Sequence, residues 1–185
     1  MGEKPLRLFV GVALAEALRA ELEAYLAATF GARLPGRAVP PRNWHLTLRF
    51  LGATDAERHH CIVDELSAIE PPSAFDLELA SLGAFPRPAR AKVLWIGAGA
   101  GGDALRALGA SVEAAAVRAG FAPERKPFSP HLTLSRLDPP ADVRAALDAP
   151  PFGGRMRVDE FVLFRSHLGG GPPRYEPLER FPLAP

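Results

Sequence analysis

The tetrapeptide His-Leu-Thr-Leu occurs twice, at residues 45–48 and again at 131–134. Histidine is uncommon enough that two identical copies are not an accident of strand-forming sequence. In an extended chain, side chains alternate between faces with a period of two. His45 and Thr47 therefore share one face and Leu46 and Leu48 the other. His131 and Thr133 repeat the arrangement against Leu132 and Leu134. Each copy specifies a half-buried strand, apolar on one side and carrying an imidazole and a hydroxyl on the other. If a pseudo-two-fold relates the two strands, both pairs converge on one pocket.

The remaining chain reads as strands and helices around these segments. Residues 6–14 (LRLFVGVAL) are dense in β-formers and read as a buried strand. Leu18, Leu22, Tyr25 and Leu26 recur at helical spacing within 15–30. Prolines and a glycine mark 31–43 as loop. After a strand at 44–51, Thr54 and Glu57 fit a capping box for a helix running to about Ile69. Strands are expected at 75–82 and 92–96, then a helix capped by Asp103 and ended by Gly120. A strand at 131–136, a short helix at 141–149, and strands at 157–167 and 174–181 around the glycine turn 169–171 complete the reading. Helices mixed with strands that can pair as hairpins make the class α+β.

Composition excludes several function classes. The 185 residues are 48% hydrophobic and 23% charged, ordinary globular usage. No apolar run approaches the roughly 20 residues of a membrane-spanning helix, so no membrane partner is expected. The opening Met1-Gly2-Glu3-Lys4-Pro5 does not lead into a secretory signal pattern. Basic and acidic residues number 22 and 21, a net charge of +1. That argues against a non-specific nucleic-acid coat, though not against a local anion-binding cleft. Cys61, the one cysteine, supplies neither disulfide nor CxxC and is expected to be a half-buried reduced thiol in a cytoplasmic protein. His59 and His60 are adjacent in a helix and point apart, and His167 is expected in an exposed loop. With no HExxH, CxxC or acidic cluster, neither metal nor other cofactor is expected. The run 97–102 (GAGAGG) lacks the Lys-Ser/Thr of a P-loop and reads as a connection. Nothing calls for an obligate oligomer, and a monomer is expected.

Two histidines can do complementary work because an unperturbed pKa of about 6.5 allows either protonation state near neutral pH. A neutral ring takes a proton from a nucleophile, while an imidazolium gives one to a leaving oxygen. Threonine hydroxyls can donate to the non-bridging oxygens of a phosphate held between the rings. The chemistry expected of this constellation is metal-free phosphoryl transfer. A strained cyclic phosphate would suit so spare a site.

The motifs, within NWHLTLRFLG (43–52) and PFSPHLTLSR (127–136), resemble those of the two-histidine (2H) phosphoesterase superfamily, marked by two HxTx motifs. RLFVGVAL (7–14), GAFP (83–86), KVLWIG (92–97), PFGGRMRVDEFVLFRS (151–166) and RYEPLERFPL (174–183) are similar to the RNA 2′,3′-cyclic phosphodiesterases, also called 2′-5′ RNA ligases. The resemblance spans essentially the whole chain. It implies one bilobal α+β domain over 1–185, with two antiparallel β-sheets facing a central groove and helices on the outside. It also implies metal-independent opening of RNA or nucleotide 2′,3′-cyclic phosphate ends to 2′-phosphates, with 2′-5′ RNA ligase activity as a reverse reaction. Carried over, His45 is the proton donor to the 3′ oxygen, His131 is the proton acceptor that activates water, and Thr47 and Thr133 hold the phosphate. Two alternatives stay open. One is another phosphodiester, such as ADP-ribose cyclic phosphate or 2′,5′-oligoadenylate; the other is a non-catalytic module that binds RNA ends.

Arg136 is a further candidate for substrate contact. Strict alternation from His131 puts it on the opposite face, so a bulge or the strand's end must turn it into the groove. Arg49 shares the face of His45 and Thr47 by period two, and either raises the groove's positive potential or pairs with an acid. For Trp44 and Phe128, which flank the motifs, core packing is expected and base stacking is the alternative.

Overall fold

The motif leucines lie at the centre of the molecule. Leu46 and Leu132 are fully buried and face each other as an antiparallel pair. They are the one point where two four-stranded antiparallel sheets join, so the strands form a single curled sheet. The computed structural model describes residues 5–31 and 33–185. Met1 to Lys4, on which the reading of the N-terminal leader rests, lie outside the described residues, as does Ala32 in the expected loop.

The elements are β1 (Leu6–Ala13), α1 (Glu16–Phe30), β2 (Arg37–Ala38), β3 (His45–Thr54), α2 (Ala56–Ser67), β4 (Phe75–Phe85), β5 (Ala91–Ala98), α3 (Gly102–Arg118), β6 (His131–Ala141), α4 (Arg144–Leu147), β7 (Gly154–Val158), β8 (Glu160–His167) and β9 (Arg174–Pro182). The strand order is β7-β4-β5-β6-β3-β1-β8-β9, with β2 pairing β6 from outside that path. One lobe is thus β3-β1-β8-β9 and the other β6-β5-β4-β7, each carrying its motif on the strand nearest the join. This is the expected α+β, bilobal, antiparallel arrangement. No helix among the described residues is long and apolar enough to cross a membrane.

The helices cross between lobes. α1 leaves β1 in the first lobe and packs on β7 in the second, while α3 leaves β5 in the second and packs on β3 in the first. One core consequently runs under both lobes, including Val10, Leu22, Leu46, Ile62, Leu79, Ile96, Leu108 and Leu132. Removing a buried leucine of this kind costs about 2–5 kcal/mol, so the leucine faces of the motifs are a structural commitment.

Several boundaries differ from the sequence reading. Thr54 does not cap α2: it ends β3, buried, and its hydroxyl donates to the Gly52 carbonyl at 3.2 Å. Asp55 is the cap, and its carboxylate accepts the Arg58 N–H at 2.9 Å. Asp103 likewise sits inside the first turn of α3 and pairs with Arg106. The helix begins instead after Gly101, whose φ of 80° and close approach to the Asp76 carbonyl leave no room for a Cβ. The strand expected over 157–167 is two strands: β7 returns to pair with β4 and β8 departs to pair with β1. Cys61 is exposed on α2 rather than half-buried.

Candidate active site

β3 and β6 are flanked by equivalent neighbours. Ala13 of β1 lies opposite His45 and Gly97 of β5 opposite His131; Gly11 lies opposite Thr47 and Trp95 opposite Thr133. The Leu46–Leu132 pairing sets His45 opposite Thr133 and Thr47 opposite His131 in the antiparallel register. All four motif side chains therefore stand on the groove face around one local dyad.

Past the threonines, both strands bulge at the same step. Val10 pairs with Arg49 and Gly11 with Thr47, leaving Leu48 unopposed; Leu94 pairs with Ser135 and Trp95 with Thr133, leaving Leu134 unopposed. The extra residue resets the alternation. Leu48 and Arg49 are both buried, as are Leu134 and Ser135. Phe50 and Arg136 emerge, exposed, at equivalent positions. The bulge takes Arg136 off the face that strict alternation from His131 assigns to it. Arg49, in contrast, does not share the face of His45 and Thr47. It is 7% exposed and ion-paired with Glu113 of α3 and Glu124, both at 2.5 Å.

Each motif ring is aimed by the backbone two residues before it. His45 Nδ1–H donates to the Asn43 carbonyl at 2.8 Å and His131 Nδ1–H to the Ser129 carbonyl at 2.6 Å. A carbonyl can only accept, so both neutral rings carry their proton on Nδ1 and keep the Nε2 lone pair. Thr47 Oγ1 donates to His45 Nε2 at 2.9 Å. For His131 Nε2, no protein partner lies among the described residues.

Burial separates the two rings electrostatically. His45 sits among Phe9 at 4.7 Å, Tyr175 edge-on at 5.1 Å and Phe164 at 6.4 Å between centroids. His131 is walled by Phe85, edge-on at 5.0 Å, and Trp95 at 5.9 Å. Desolvation is the chief reason the His45 pKa falls to about 4. The bond to the Asn43 carbonyl opposes that fall, while Arg136 and His131 add to it. His131 is also lowered, first by burial and then by Arg136, against the bond to Ser129. The Arg136 charge acts on Tyr175 as well, whose pKa burial raises and Arg136 and Arg7 lower. That guanidinium thus overlooks both histidines.

The other sequence-level candidates lie elsewhere. His60 is exposed and His59 half-buried on α2. His167 is not in an exposed loop: it ends β8, half-buried, with Nε2 at 2.5 Å from Glu176 across the β8–β9 hairpin. Trp44 is buried in the core and Phe128 packs against it, over Gly109, as expected. Among the described residues no three His, Cys, Asp or Glu side chains come together as a metal site would require. Sequence reasoning missed Phe50, whose exposed ring lies 6.1 Å from Phe9 on the groove face. Aligning the two motif copies was the available signal, since it places Phe50 on Arg136.

A curled antiparallel sheet presenting two HxTx strands about a dyad defines a two-histidine phosphoesterase. The family model described as the 2′-5′ RNA ligase superfamily matches residues 8–170, and the chain belongs to that family. It is 33% identical over 182 residues to the RNA 2′,3′-cyclic phosphodiesterase of Escherichia coli K12, covering 97% of this chain and 98% of the relative. A second protein of that name, from Aeropyrum pernix, is 40% identical over 104 residues, or 56% of this chain and 58% of the relative. The crystal structure of E. coli LigT complexed with 3′-AMP superposes with a TM-score of 0.83 at 33% identity, covering 97% and 98% of the two chains. The chain is accordingly an enzyme of the phosphodiesterase class.

Proposed function

We propose that this chain opens the 2′,3′-cyclic phosphate of an RNA or nucleotide end, leaving a 2′-phosphate, by metal-independent acid–base catalysis. The observation that carries the reading is the pair of imidazoles on strands joined about the dyad, each locked through Nδ1–H to a carbonyl. The Nε2 of one is held only by a threonine hydroxyl, and that of the other is without a protein partner among the described residues. The phosphate lies between them. His131, whose Nε2 is free of protein partners among the described residues, takes a proton from water as its oxygen bonds to phosphorus. The bond from phosphorus to the 3′ oxygen breaks, and His45 delivers its proton to that oxygen. Protonation of His45 Nε2 releases the Thr47 hydroxyl from that ring, and Thr47 and Thr133 donate to the non-bridging oxygens.

His45, with its pKa near 4 in the open groove, gains its proton together with the substrate. The docked anion offsets the Arg136 charge and favours the imidazolium. Arg136 contacts the phosphate, and Phe50 offers a face on which the terminal base stacks. The relatives named as RNA 2′,3′-cyclic phosphodiesterases and the LigT complex with 3′-AMP support a nucleotide substrate. The same geometry serves the reverse direction, joining ends through a 2′-5′ linkage. RNA ends of this kind, and the single exposed cysteine, suit a cytoplasmic setting.

Phosphorus NMR of 2′,3′-cyclic AMP incubated with the protein and a chelator tests the reading. The cyclic resonance is expected to be replaced by that of a 2′-monoester at an unchanged rate. Absence of product, a 3′-monoester, or abolition by the chelator would overturn it.

A further inference from the structure

The bulges that expose Phe50 and Arg136 also turn the preceding residues, Arg49 and Ser135, to the buried side. Both reach segments belonging to the opposite motif. Arg49 Nη2 donates to the Ala122 carbonyl at 2.5 Å. Its Nη1 meets Glu124 at 2.5 Å and donates to the Phe50 carbonyl at 2.9 Å. Its Nε lies 2.5 Å from Glu113, whose other oxygen accepts the Glu124 N–H at 2.8 Å. Both terminal nitrogens of the guanidinium are hydrogen-bonded, and its Nε makes an ion-pair contact alone. The segment it grips, 121–130, runs into the second motif and presents the Ser129 carbonyl that orients His131.

Ser135 does the mirror-image work. Its hydroxyl, fully buried, donates to the Pro35 carbonyl at 2.5 Å. Alongside it, β2 pairs with β6, Ala38 opposite Ser135, and the Val39 N–H donates to the Leu134 carbonyl at 2.8 Å. That segment runs into the first motif and presents the Asn43 carbonyl that orients His45. A guanidinium and a hydroxyl share no chemistry that simple packing would select at equivalent positions. They share one task, which is to hold a carbonyl of the segment leading to the other histidine.

We propose that Arg49 and Ser135 are reciprocal positioning residues, each fixing from one motif strand the segment that aims the histidine of the other. β3 then cannot move without disturbing His131, nor β6 without disturbing His45, and the two rings are set as a unit. A ring displaced by even about 1 Å can lose some 10²-fold in rate, so a crossed tether of this kind has a kinetic consequence. The kinetic arm of the test rests on the two-histidine reading above; the spectroscopic arm does not.

The experiment uses protein labelled with nitrogen-15 in histidine, with the ring resonances assigned by single His→Gln variants. Arg49→Lys keeps the charge and loses the fork, and Ser135→Ala removes one hydroxyl. The expected result is crossed. Arg49→Lys shifts the Nδ1 resonance of His131 and leaves that of His45 in place, while Ser135→Ala does the reverse. In both, kcat falls about tenfold with KM held within about twofold, as expected of misalignment rather than lost affinity. Should Arg49→Lys fail to fold, Glu124→Gln weakens the same grip from its half-exposed end and carries the same expectation for His131. Disturbance of the histidine on the mutated strand, equal disturbance of both, or none would overturn the proposal. Loss of the crossed ring shifts defeats it whatever the substrate; crossed shifts without turnover of cyclic phosphate defeat only the functional reading.

Discussion

The two motif sites share four residues, a carbonyl that aims each ring and a bulge at the same step, and differ in the side chains that surround them. His45 is enclosed by three aromatic rings and its Nε2 is occupied by Thr47, whereas His131 has two aromatic neighbours and an Nε2 open to the groove. One step beyond the bulges, the first strand exposes a phenyl ring and the second a guanidinium. Duplicated geometry supplies two equivalent rings, and local dielectric and charge then make them inequivalent. Under the proposed mechanism that inequivalence serves one proton donor and one proton acceptor only once the docked anion has restored the His45 proton.

The largest test removes either ring. His45→Ala and His131→Ala should each lower kcat/KM for a 2′,3′-cyclic nucleotide by at least about 10²-fold. The double variant should fall little further, because the two act on one transition state. Near-normal turnover in either single variant would break the pairing. In the wild type, lowered imidazole pKa values should place the kcat/KM optimum on the acid side of the value expected for two ordinary histidines.

The next contrast is between the two emergent side chains. Arg136→Gln should raise KM for every cyclic phosphate by about tenfold, through loss of a charge-assisted contact. It should also move the pH profile upward, since the guanidinium depresses both rings and its removal lets their pKa values rise. Phe50→Ala should weaken nucleotide substrates by about 1–3 kcal/mol, the worth of a stacked base. The same variant should leave the base-free substrate, ribose 2′,3′-cyclic phosphate, unaffected. Equal losses on both substrates would remove Phe50 from base recognition.

The last contrast is in stability. His45 stays neutral in the folded protein down to a pH of about 4, while in the unfolded chain it takes a proton from 6.5 downward. Folding stability should therefore be fully present above 6.5 and decline as the pH falls toward 4. His45→Gln should flatten that decline in urea-denaturation midpoints measured against pH. His131→Gln, at a less enclosed site, should flatten it less, and an equal effect would erase the distinction in burial.

Much of this was legible in the chain itself. Period-two alternation placed Leu46, Leu48, Leu132 and Leu134 in the core and His45, Thr47, His131 and Thr133 on one face, because pleat geometry is local. Alternation failed one residue past each motif, where Arg49 turned inward and Phe50 outward. A bulge is a property of two paired strands, and nothing in one strand announces its partner's register. Helix caps slipped by a residue or two for a related reason: Thr54 was already committed to ending β3.

The chain alone thus determined the α+β class, the two strands that carry imidazoles, and the leucines that anchor them, all of which depend on neighbours a few residues apart. Which carbonyl aims each ring, which arginine enters the groove and which is buried between Glu113 and Glu124, and how far each imidazole is removed from water were decided by tertiary structure. Those properties arise where remote segments meet, and Coulomb and desolvation energies follow distance in space rather than in sequence.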